Sequence, residues 1–358
     1  MRGSRVVIGA IGDERTHQTL EALNGWAQVE QVMPVQKRYK LVTIRVGRSF
    51  FDGPEALLSW RNDTVSPFER MRTYDPPAQE KLVSYMVGRE MKERFPKGNR
   101  KPGEVMFEVQ DLQAVDPNET SRRVLNGVSF NLRRGEILGI AGLMGSGRTE
   151  LVTTIFGEYG KITGGTIKLE GQELHIHGAR DAMHKGISLV PEDRKGQGLV
   201  LMQSILKNIS LANLDQFSGF MSIDSDAEMV AAAQQAKNLA VKAPNLEVRV
   251  ESLSGGNQQK VVIAKWLLSN PKILIMDDPT RGIDVGAKYE IYKLMNELAE
   301  HGVSIIMISS ELEEVLGMSD RVMVMHEGKS TQTLSIGEAT QERIMALATG
   351  LANEKVPA

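Results

Sequence analysis

A glycine-rich loop between an apolar segment and a helical segment is the strongest candidate for chemistry in this sequence. The loop follows the apolar run Ile137–Ala141. Glycines let backbone N–H groups converge on an oxyanion without Cβ clashes, and the following helix adds the positive end of its dipole. The hydroxyl of Thr149 is a suitable ligand for Mg²⁺. The pattern therefore predicts a phosphate-binding loop formed by Gly142, Leu143, Met144, Gly145, Ser146, Gly147, Arg148 and Thr149.

One residue of this loop departs from the usual phosphate-binding pattern. Arg148 stands where such loops normally carry lysine. A guanidinium is cationic, but it is planar, forked and longer than an ammonium. We expect Arg148 to bind phosphate without lying along the β- and γ-phosphates as an ammonium does. For the loop taken alone, an ordinary glycine turn between a strand and a helix remains an alternative.

An apolar segment that ends in two acidic residues predicts the second half of a nucleotide site. Ile273–Met276 reads as a buried strand, and Asp277 and Asp278 follow it. We expect Asp277 to hold Mg²⁺, directly or through water, together with Thr149. Asp278 is the candidate catalytic carboxylate, which would polarise the water that attacks the terminal phosphate.

A third motif lies between the two halves of this predicted site. Ser254, Gly255 and Gly256 begin a helical stretch that extends to Leu268. A serine and glycines at the start of a helix form another anion-binding end. The motif is weak alone, but its position between a phosphate-binding loop and an acidic strand end makes it specific.

Together these motifs resemble those of the ABC-transporter ATPase family. Gly142–Thr149 resembles the Walker A motif, Ile273–Asp277 the Walker B motif, Leu253–Gly256 the signature motif, and Asp284 the D-loop aspartate. The resemblance covers about residues 104–346. It implies that ATP and Mg²⁺ are bound between two ATPase halves, and that each signature motif faces the Walker A motif of the other half. Asp284 would lie beside the signature motif at the same interface.

Four further segments narrow the resemblance to the second ATPase half of the tandem subunits of sugar importers, of the xylose, ribose and galactoside type. These are residues 190–195, 253–260, 279–288 and 309–314. The resemblance implies a peripheral subunit at the cytoplasmic face of the cell membrane, in a pentose importer. Its partners would be a membrane permease, another ATPase half and, indirectly, a periplasmic sugar-binding protein. We expect the other ATPase half to come from a separate subunit or from a second copy of the chain.

Three positions of the resemblance carry residues that weaken hydrolysis. Glu192 stands at the Q-loop glutamine, Ser310 at the switch histidine, and Asp278 where the family usually has glutamate. A glutamate lacks the amide donor but could ligate Mg²⁺, and serine is too short to reach the γ-phosphate. A carboxylate misplaced by about 1 Å can lower the rate by roughly 10²-fold. With Arg148, these residues predict a site that binds nucleotide and hydrolyses it poorly, beside an intact signature motif.

The pattern of elements predicts an α/β fold for most of the chain. Strand and helix patterns alternate over residues 104–346, which is typical of a P-loop ATPase domain with a mainly parallel sheet. The family resemblance adds a helical subdomain. Before this domain, residues 51–103 read as an irregular linker with a short helix near 82–93, and residues 347–358 form a C-terminal tail.

The amino-terminal segment reads as a separate small unit. The pattern of residues 1–50 predicts a short α+β fragment, which is too small to bury a hydrophobic core that would be stable alone. Residues 6–46 resemble part of the ferredoxin-like domain that precedes the barrel of some DAHP synthases. Since no barrel sequence follows, we carry over no activity to this segment.

Composition excludes several classes of function. The 358 residues include 43 Lys and Arg against 45 Asp and Glu, so the formal charge is −2. A balanced chain with 5% aromatic residues is a poor nucleic-acid binder, and we expect no nucleic-acid partner. The absence of cysteine excludes disulfides and thiolate metal sites.

Three functions remain open at this point. The first is an ATPase subunit of a sugar importer. The second is a non-hydrolytic nucleotide-binding regulatory or assembly module, or a chimeric chain without transport function, which the altered Asp278 and Ser310 positions leave open. The third is an ABC ATPase of repair or translation, which would show long heptads or an inserted zinc module, and the sequence has neither.

Overall fold

The chain divides into two compact units, Met1–Arg94 and Phe95–Ala358. The computed structural model describes residues 7–9, 41–43, 94–96, 98–219 and 222–351. In the first unit, strand β1 (Val7–Gly9) pairs antiparallel with β2 (Leu41–Thr43). The predicted helix near 82–93 and the rest of the amino-terminal fragment lie outside the described residues.

A six-stranded sheet forms the centre of the second unit. Its order is β12-β11-β5-β10-β9-β8, and all neighbours are parallel except β12, which is antiparallel to β11. The central strands are buried along their length, as continuous apolar runs predict for a parallel sheet covered on both faces. The strands are β5 (Ile137–Gly142), β8 (Ile187–Val190), β9 (Ile273–Asp277), β10 (Ser304–Ile308), β11 (Arg321–His326) and β12 (Lys329–Ser335).

A second, antiparallel sheet of four strands has the order β4-β3-β6-β7. Phe107 on β3 and Leu125 on β4 are fully buried in one core with the helix that follows the glycine-rich loop. The strands are β3 (Val105–Val115), β4 (Arg123–Arg133), β6 (Lys161–Leu169) and β7 (Gln172–Glu173). The two sheets and their helices confirm the predicted α/β P-loop fold.

Helices cover the six-stranded sheet and form a separate helical region between β8 and β9. They are α1 (Arg148–Phe156), α2 (Ala179–His184), α3 (Ile205–Ser210), α4 (Ser225–Asn238), α5 (Gly255–Leu267), α6 (Val285–Glu300), α7 (Leu312–Met318) and α8 (Gln341–Ala348). Shorter helical turns occupy Arg194–Gly198, Leu211–Phe217 and Val250–Ser252. Within the described ranges, no helix has the length and apolarity that a membrane span requires.

The carboxyl ends of four parallel strands meet at one edge of the six-stranded sheet. Ile308 at the end of β10 lies between Ile140 of β5 and Asp277 of β9, and Val190 at the end of β8 pairs with Met276. The loops after these strands therefore emerge side by side. In open α/β sheets this edge is where ligands bind, and all predicted catalytic residues follow these strand ends.

The second unit begins at Phe95, before the predicted domain start at residue 104. The rings of Phe95 and Tyr292 lie 5.4 Å apart, and the Arg100 guanidinium donates to Asp320 at 3.2 Å. Residues 95–103 resemble a linker in composition because they hold few apolar side chains. The contacts of Phe95 with Tyr292 and of Arg100 with Asp320 nevertheless attach this segment to the domain. At the other end, Leu347 and Ala348 are buried in α8, so the helix extends into the predicted tail.

We expect replacement of Arg100 by methionine to destabilise the domain by about 2 kcal/mol. The side chain is 10% exposed, and it also donates to the Met318 carbonyl at 2.9 Å, so the substitution removes this donor and leaves the Asp320 carboxylate with the Ile137 amide but without its cationic partner. Urea denaturation of the full chain measures the effect, with the exposed Lys101→Met as the charge-matched control. Equal unfolding midpoints for the two variants would show that the segment does not stabilise the domain.

Candidate nucleotide-binding site

The glycine-rich loop connects β5 to α1, and its backbone needs glycine. Gly145 and Gly147 have φ angles of +76° and +97°, a region that side chains disfavour. A Cβ on Gly142 would lie 2.5 Å from the Ser146 hydroxyl oxygen and 2.7 Å from the Met325 carbonyl oxygen. The sequence therefore folds into a tight loop that only glycine permits at these positions.

Two polar features of the loop fit a phosphate ligand. Gly147 precedes the first turn of α1, and none of the described side chains caps the amides of that turn. The Ser146 hydroxyl is buried and has no hydrogen-bond partner within the described part of the chain. Unpaired donors at a helix N-terminus are a ready site for an oxyanion. Met144 is 98% exposed, so the loop is accessible from solvent.

The two predicted metal ligands lie in direct contact. The Thr149 hydroxyl donates to Asp277 Oδ2 at 2.9 Å. Burial is the main cause that raises the pKa of Asp277 to about 6. The adjacent Asp278 carboxylate also raises this pKa, and the hydrogen bond from Thr149 lowers it. A divalent cation would favour the ionised carboxylate, and a hydroxyl beside a carboxylate is a donor set that Mg²⁺ accepts. The residues present therefore fit a magnesium ion.

The structure also brings together Asp278 and Ser310. The Ser310 amide donates to Asp278 Oδ1 at 2.6 Å. Asp278 has a φ angle of +44°, which is uncommon for a non-glycine residue and often marks a functional position. The loops after β9 and β10 are therefore joined at the strand edge, next to the Thr149–Asp277 pair.

Glu192 has a different partner from the one expected of a metal ligand. Its carboxylate forms an ion pair with the Arg281 guanidinium. Among the described residues, no hydrogen bond or ion pair joins Glu192 to Thr149 or Asp277. The structure therefore pairs this carboxylate with a cation from the loop after β9, where the sequence suggested an oxygen ligand for Mg²⁺.

The predicted signature motif begins α5, with Ser254 as the N-cap residue. The Ser254 hydroxyl oxygen accepts from the Asn257 side chain at 3.0 Å. A Cβ on Gly256 would lie 2.5 Å from the Ala287 Cβ, so α5 approaches α6 at a distance that only glycine allows. No hydrogen bond in the described ranges joins this motif to the glycine-rich loop of the same chain.

The segment that contains Asp284 is held by a helix cap and by hydrogen bonds from the Arg194 side chain to its backbone, which the sequence did not reveal. Asp284 caps α6, because its carboxylate accepts from the Ala287 amide at 2.9 Å. The Arg194 guanidinium donates to the carbonyls of Arg281 at 2.5 Å and Gly282 at 3.1 Å. A Cβ on Gly255 would lie 3.1 Å from the same guanidinium. Arg194 therefore lies where this segment meets the signature motif.

Sequence reasoning missed a buried carboxylate that joins the loops at the strand edge. Glu314 on α7 is 1% exposed. It accepts hydrogen bonds from Thr280 (2.6 Å), Tyr292 (2.6 Å), Ser309 (2.7 Å) and Lys288 (2.8 Å). In the sequence, Glu314 is the last of three glutamates within residues 311–314, so nothing distinguishes it from a solvated residue. Only the tertiary structure brings its four donors together.

The charge state of Glu314 follows from these contacts. Burial alone would raise its pKa, but the hydrogen bonds from Lys288, Thr280, Tyr292 and Ser309 outweigh burial and lower the pKa below its ordinary value of 4.5. A lowered pKa means that the ionised carboxylate stabilises the folded state above pH 4.5, and that this stability is lost as the pH falls through the folded pKa.

We expect Glu314→Gln to destabilise the folded chain at pH 7 by about 2–4 kcal/mol, because Lys288 loses a buried counter-charge. The difference from wild type should shrink as the pH falls below 4.5, where protonation makes the native side chain resemble the amide. Denaturation between pH 3 and pH 8 measures it, with the exposed Glu342→Gln as control. A difference that does not change with pH would contradict the ionised assignment.

Comparison with known proteins identifies the fold and the family. Residues 125–281 match the ABC transporter family. A nucleotide-free ATP-binding cassette from an ABC transporter superposes with a TM-score of 0.57 at 22% identity, over 69% of this chain and 96% of that chain. A dimeric cassette in a post-hydrolysis state, bound to ADP and Pi, gives a TM-score of 0.56 at 21% identity, over 64% and 99%.

Curated relatives are sugar-import proteins. The xylose import ATP-binding protein XylG of Thermoanaerobacter pseudethanolicus is 53% identical over 272 residues, which are 76% of this chain and 54% of the relative. The L-arabinose transport ATP-binding protein AraG of Geobacillus stearothermophilus is 48% identical over 77% of this chain and 54% of the relative. The chain thus spans about half the length of these relatives. The site geometry and the family match thus identify residues 125–281 as part of an ATP-binding domain of the ABC transporter family.

Proposed function

We propose that the chain is the ATP-binding subunit of a pentose importer, in which ATP binding and hydrolysis drive a membrane permease. The Thr149–Asp277 hydrogen bond carries the proposal, because it joins the two residues predicted to ligate Mg²⁺, directly beside the glycine-rich loop. The names of the relatives support a pentose as the transported sugar. The permease and a periplasmic sugar-binding protein would choose the sugar, and the chain would lie peripherally at the cytoplasmic face of the membrane.

Each group at the strand edge has a role in this proposal. The amides of the loop and of the first turn of α1 bind the triphosphate, and the Arg148 guanidinium adds positive charge. Thr149 and Asp277 would hold Mg²⁺, which neutralises charge on the phosphates when it is bound. Asp278 orients the attacking water, and its short side chain, already bonded to the Ser310 amide, makes hydrolysis slow.

The signature motif would complete the ATP site of another ATPase half. Ser254 is exposed at the N-terminus of α5, where a phosphate of a nucleotide held by the partner can reach it. Gly255, Gly256 and Asp284 would lie at the same interface. The partner is a separate subunit or a second copy of this chain.

We propose that residues 1–50 form a small ferredoxin-like unit without catalytic activity, similar to part of a DAHP synthase. The antiparallel pairing of β1 with β2 is consistent with an α+β unit. The ATPase domain would then comprise residues 104–346 together with the segment from Phe95 that packs on it.

A second function is a non-hydrolytic module that binds nucleotide to control assembly. The observation that favours it is the pairing of Glu192 with Arg281, which withdraws a Q-loop side chain from the metal-binding pair. The two functions differ in whether the chain accelerates hydrolysis at a partner site.

We expect Thr149→Ala to weaken MgATP binding about tenfold, since the metal loses one ligand. Affinity for ATP in the presence of EDTA should change much less. Isothermal titration of the full chain measures both constants, and Thr331→Ala, a threonine of β12, is the matched control. An unchanged MgATP affinity would remove Thr149 from the metal site.

Partner stimulation tests the importer function itself. We expect a mixture of the chain with the part of the Thermoanaerobacter xylose import protein that lies outside the matched residues to hydrolyse ATP faster than either protein alone. Ser254→Ala should abolish most of this increase, because it removes a hydroxyl that faces the partner's phosphate, whereas Ser252→Ala should not. Failure of the wild-type chain to stimulate any hydrolysis would favour the non-hydrolytic module.

A further inference from the structure

Two of the unusual residues at the strand edge are linked through one short loop. The Arg148 guanidinium donates from Nη1 to the carbonyl oxygen of Ser309 at 3.1 Å. Ser309 immediately precedes Ser310, which stands at the switch position. The residue that replaces the loop lysine therefore contacts the backbone beside the residue that replaces the histidine.

The loop that receives this contact is held on its other sides. The Ser309 hydroxyl donates to Glu314 at 2.7 Å and accepts from the Glu311 amide at 3.0 Å. The Ser310 amide donates to Asp278 at 2.6 Å. The Ser309 carbonyl is thus a fixed acceptor, and Arg148 supplies the connection between this loop and the glycine-rich loop.

We infer that Arg148 is a positioning residue, which ties the glycine-rich loop to the switch loop (residues 309–311) and so compensates for the short side chain of Ser310. A histidine at the switch position would make this connection from the other side, by reaching toward the phosphates. Ser310 cannot do so, and Arg148 spans the gap from the glycine-rich loop. The inference rests on the proposed function, since the connection matters where a nucleotide is bound.

The shape of the guanidinium explains why lysine would not serve equally well. Arginine has five N–H donors spread over three nitrogens in a rigid plane, so one edge can stay on the Ser309 carbonyl while others meet a phosphate. A lysine carries all its donors on one atom. An anion that attracts the ammonium would therefore draw it away from the carbonyl and release the switch loop.

Hydrogen exchange of the nucleotide-free chain tests the connection directly. In Arg148→Met we expect amides of residues 309–314 to exchange several-fold faster than in wild type, because the switch loop loses its tie to the glycine-rich loop. Arg343→Met, at an exposed position of α8, removes the same charge and is the control. Unchanged exchange at 309–314 in Arg148→Met, with the variant folded, overturns the inference.

A double-mutant cycle on nucleotide binding separates a positioning role from a merely structural one. MgATP dissociation constants are measured for wild type, Arg148→Lys, Ser310→His and the double variant. We expect Arg148→Lys to weaken MgATP binding. In the Arg148→Lys background, Ser310→His should then strengthen binding about fivefold or more, because the imidazole supplies the missing connection. If the fold-change in the dissociation constant of the double variant equals the product of the fold-changes of the two single variants, the inference is overturned.

The two experiments distinguish this inference from the proposed function. If wild type binds MgATP and the cycle shows no coupling, the positioning role fails while nucleotide binding stands. If wild type does not bind MgATP, the proposed function fails. The exchange measurement, made without nucleotide, then decides whether Arg148 holds the switch loop.

Discussion

The hydrogen bond between the Thr149 hydroxyl and the Asp277 carboxylate is the contact on which the site depends. Thr149 lies in α1, which follows β5, and Asp277 is the last residue of β9; these two strands are not neighbours, because β10 lies between them. The contact therefore requires the correct register of three parallel strands, in which Ile308 of β10 is paired on both sides. A one-residue slip would turn the side chains of a strand to the opposite face and separate the metal-binding pair.

Buried polar contacts hold the loops that surround this pair. Glu314 collects donors from α6 and from the loops after β9 and β10, and Asp278 accepts from the Ser310 amide. Buried carboxylates are costly unless fully paired, so such a cluster favours one arrangement of the loops over alternatives. The same geometry brings Arg148 to the Ser309 carbonyl, so Arg148, Ser310 and Asp278, three of the four unusual residues of the site, are connected through one loop.

The sequence predicted the elements that local pattern determines and missed those that long-range contacts determine. The buried strands, the glycine-rich loop and the helix at Ser254 follow from apolar runs, from glycines with positive φ and from capping chemistry. The partners of Glu192 and Glu314 could not be predicted, because each pairs with residues that the fold brings from another element. The attachment of Phe95 to Tyr292 was hidden for the same reason, since a single ring in a polar segment carries no periodicity.

The central claim is that the loop from Gly142 to Thr149 and the carboxylate of Asp277 together bind a magnesium-bound triphosphate. A crystal structure of the full chain with magnesium and a non-hydrolysable ATP analogue tests it most directly. The account predicts phosphate density against the amides of the loop and a metal ion beside Thr149 and Asp277. A nucleotide bound elsewhere, or a loop that remains closed by its own side chains at saturating analogue, would contradict it.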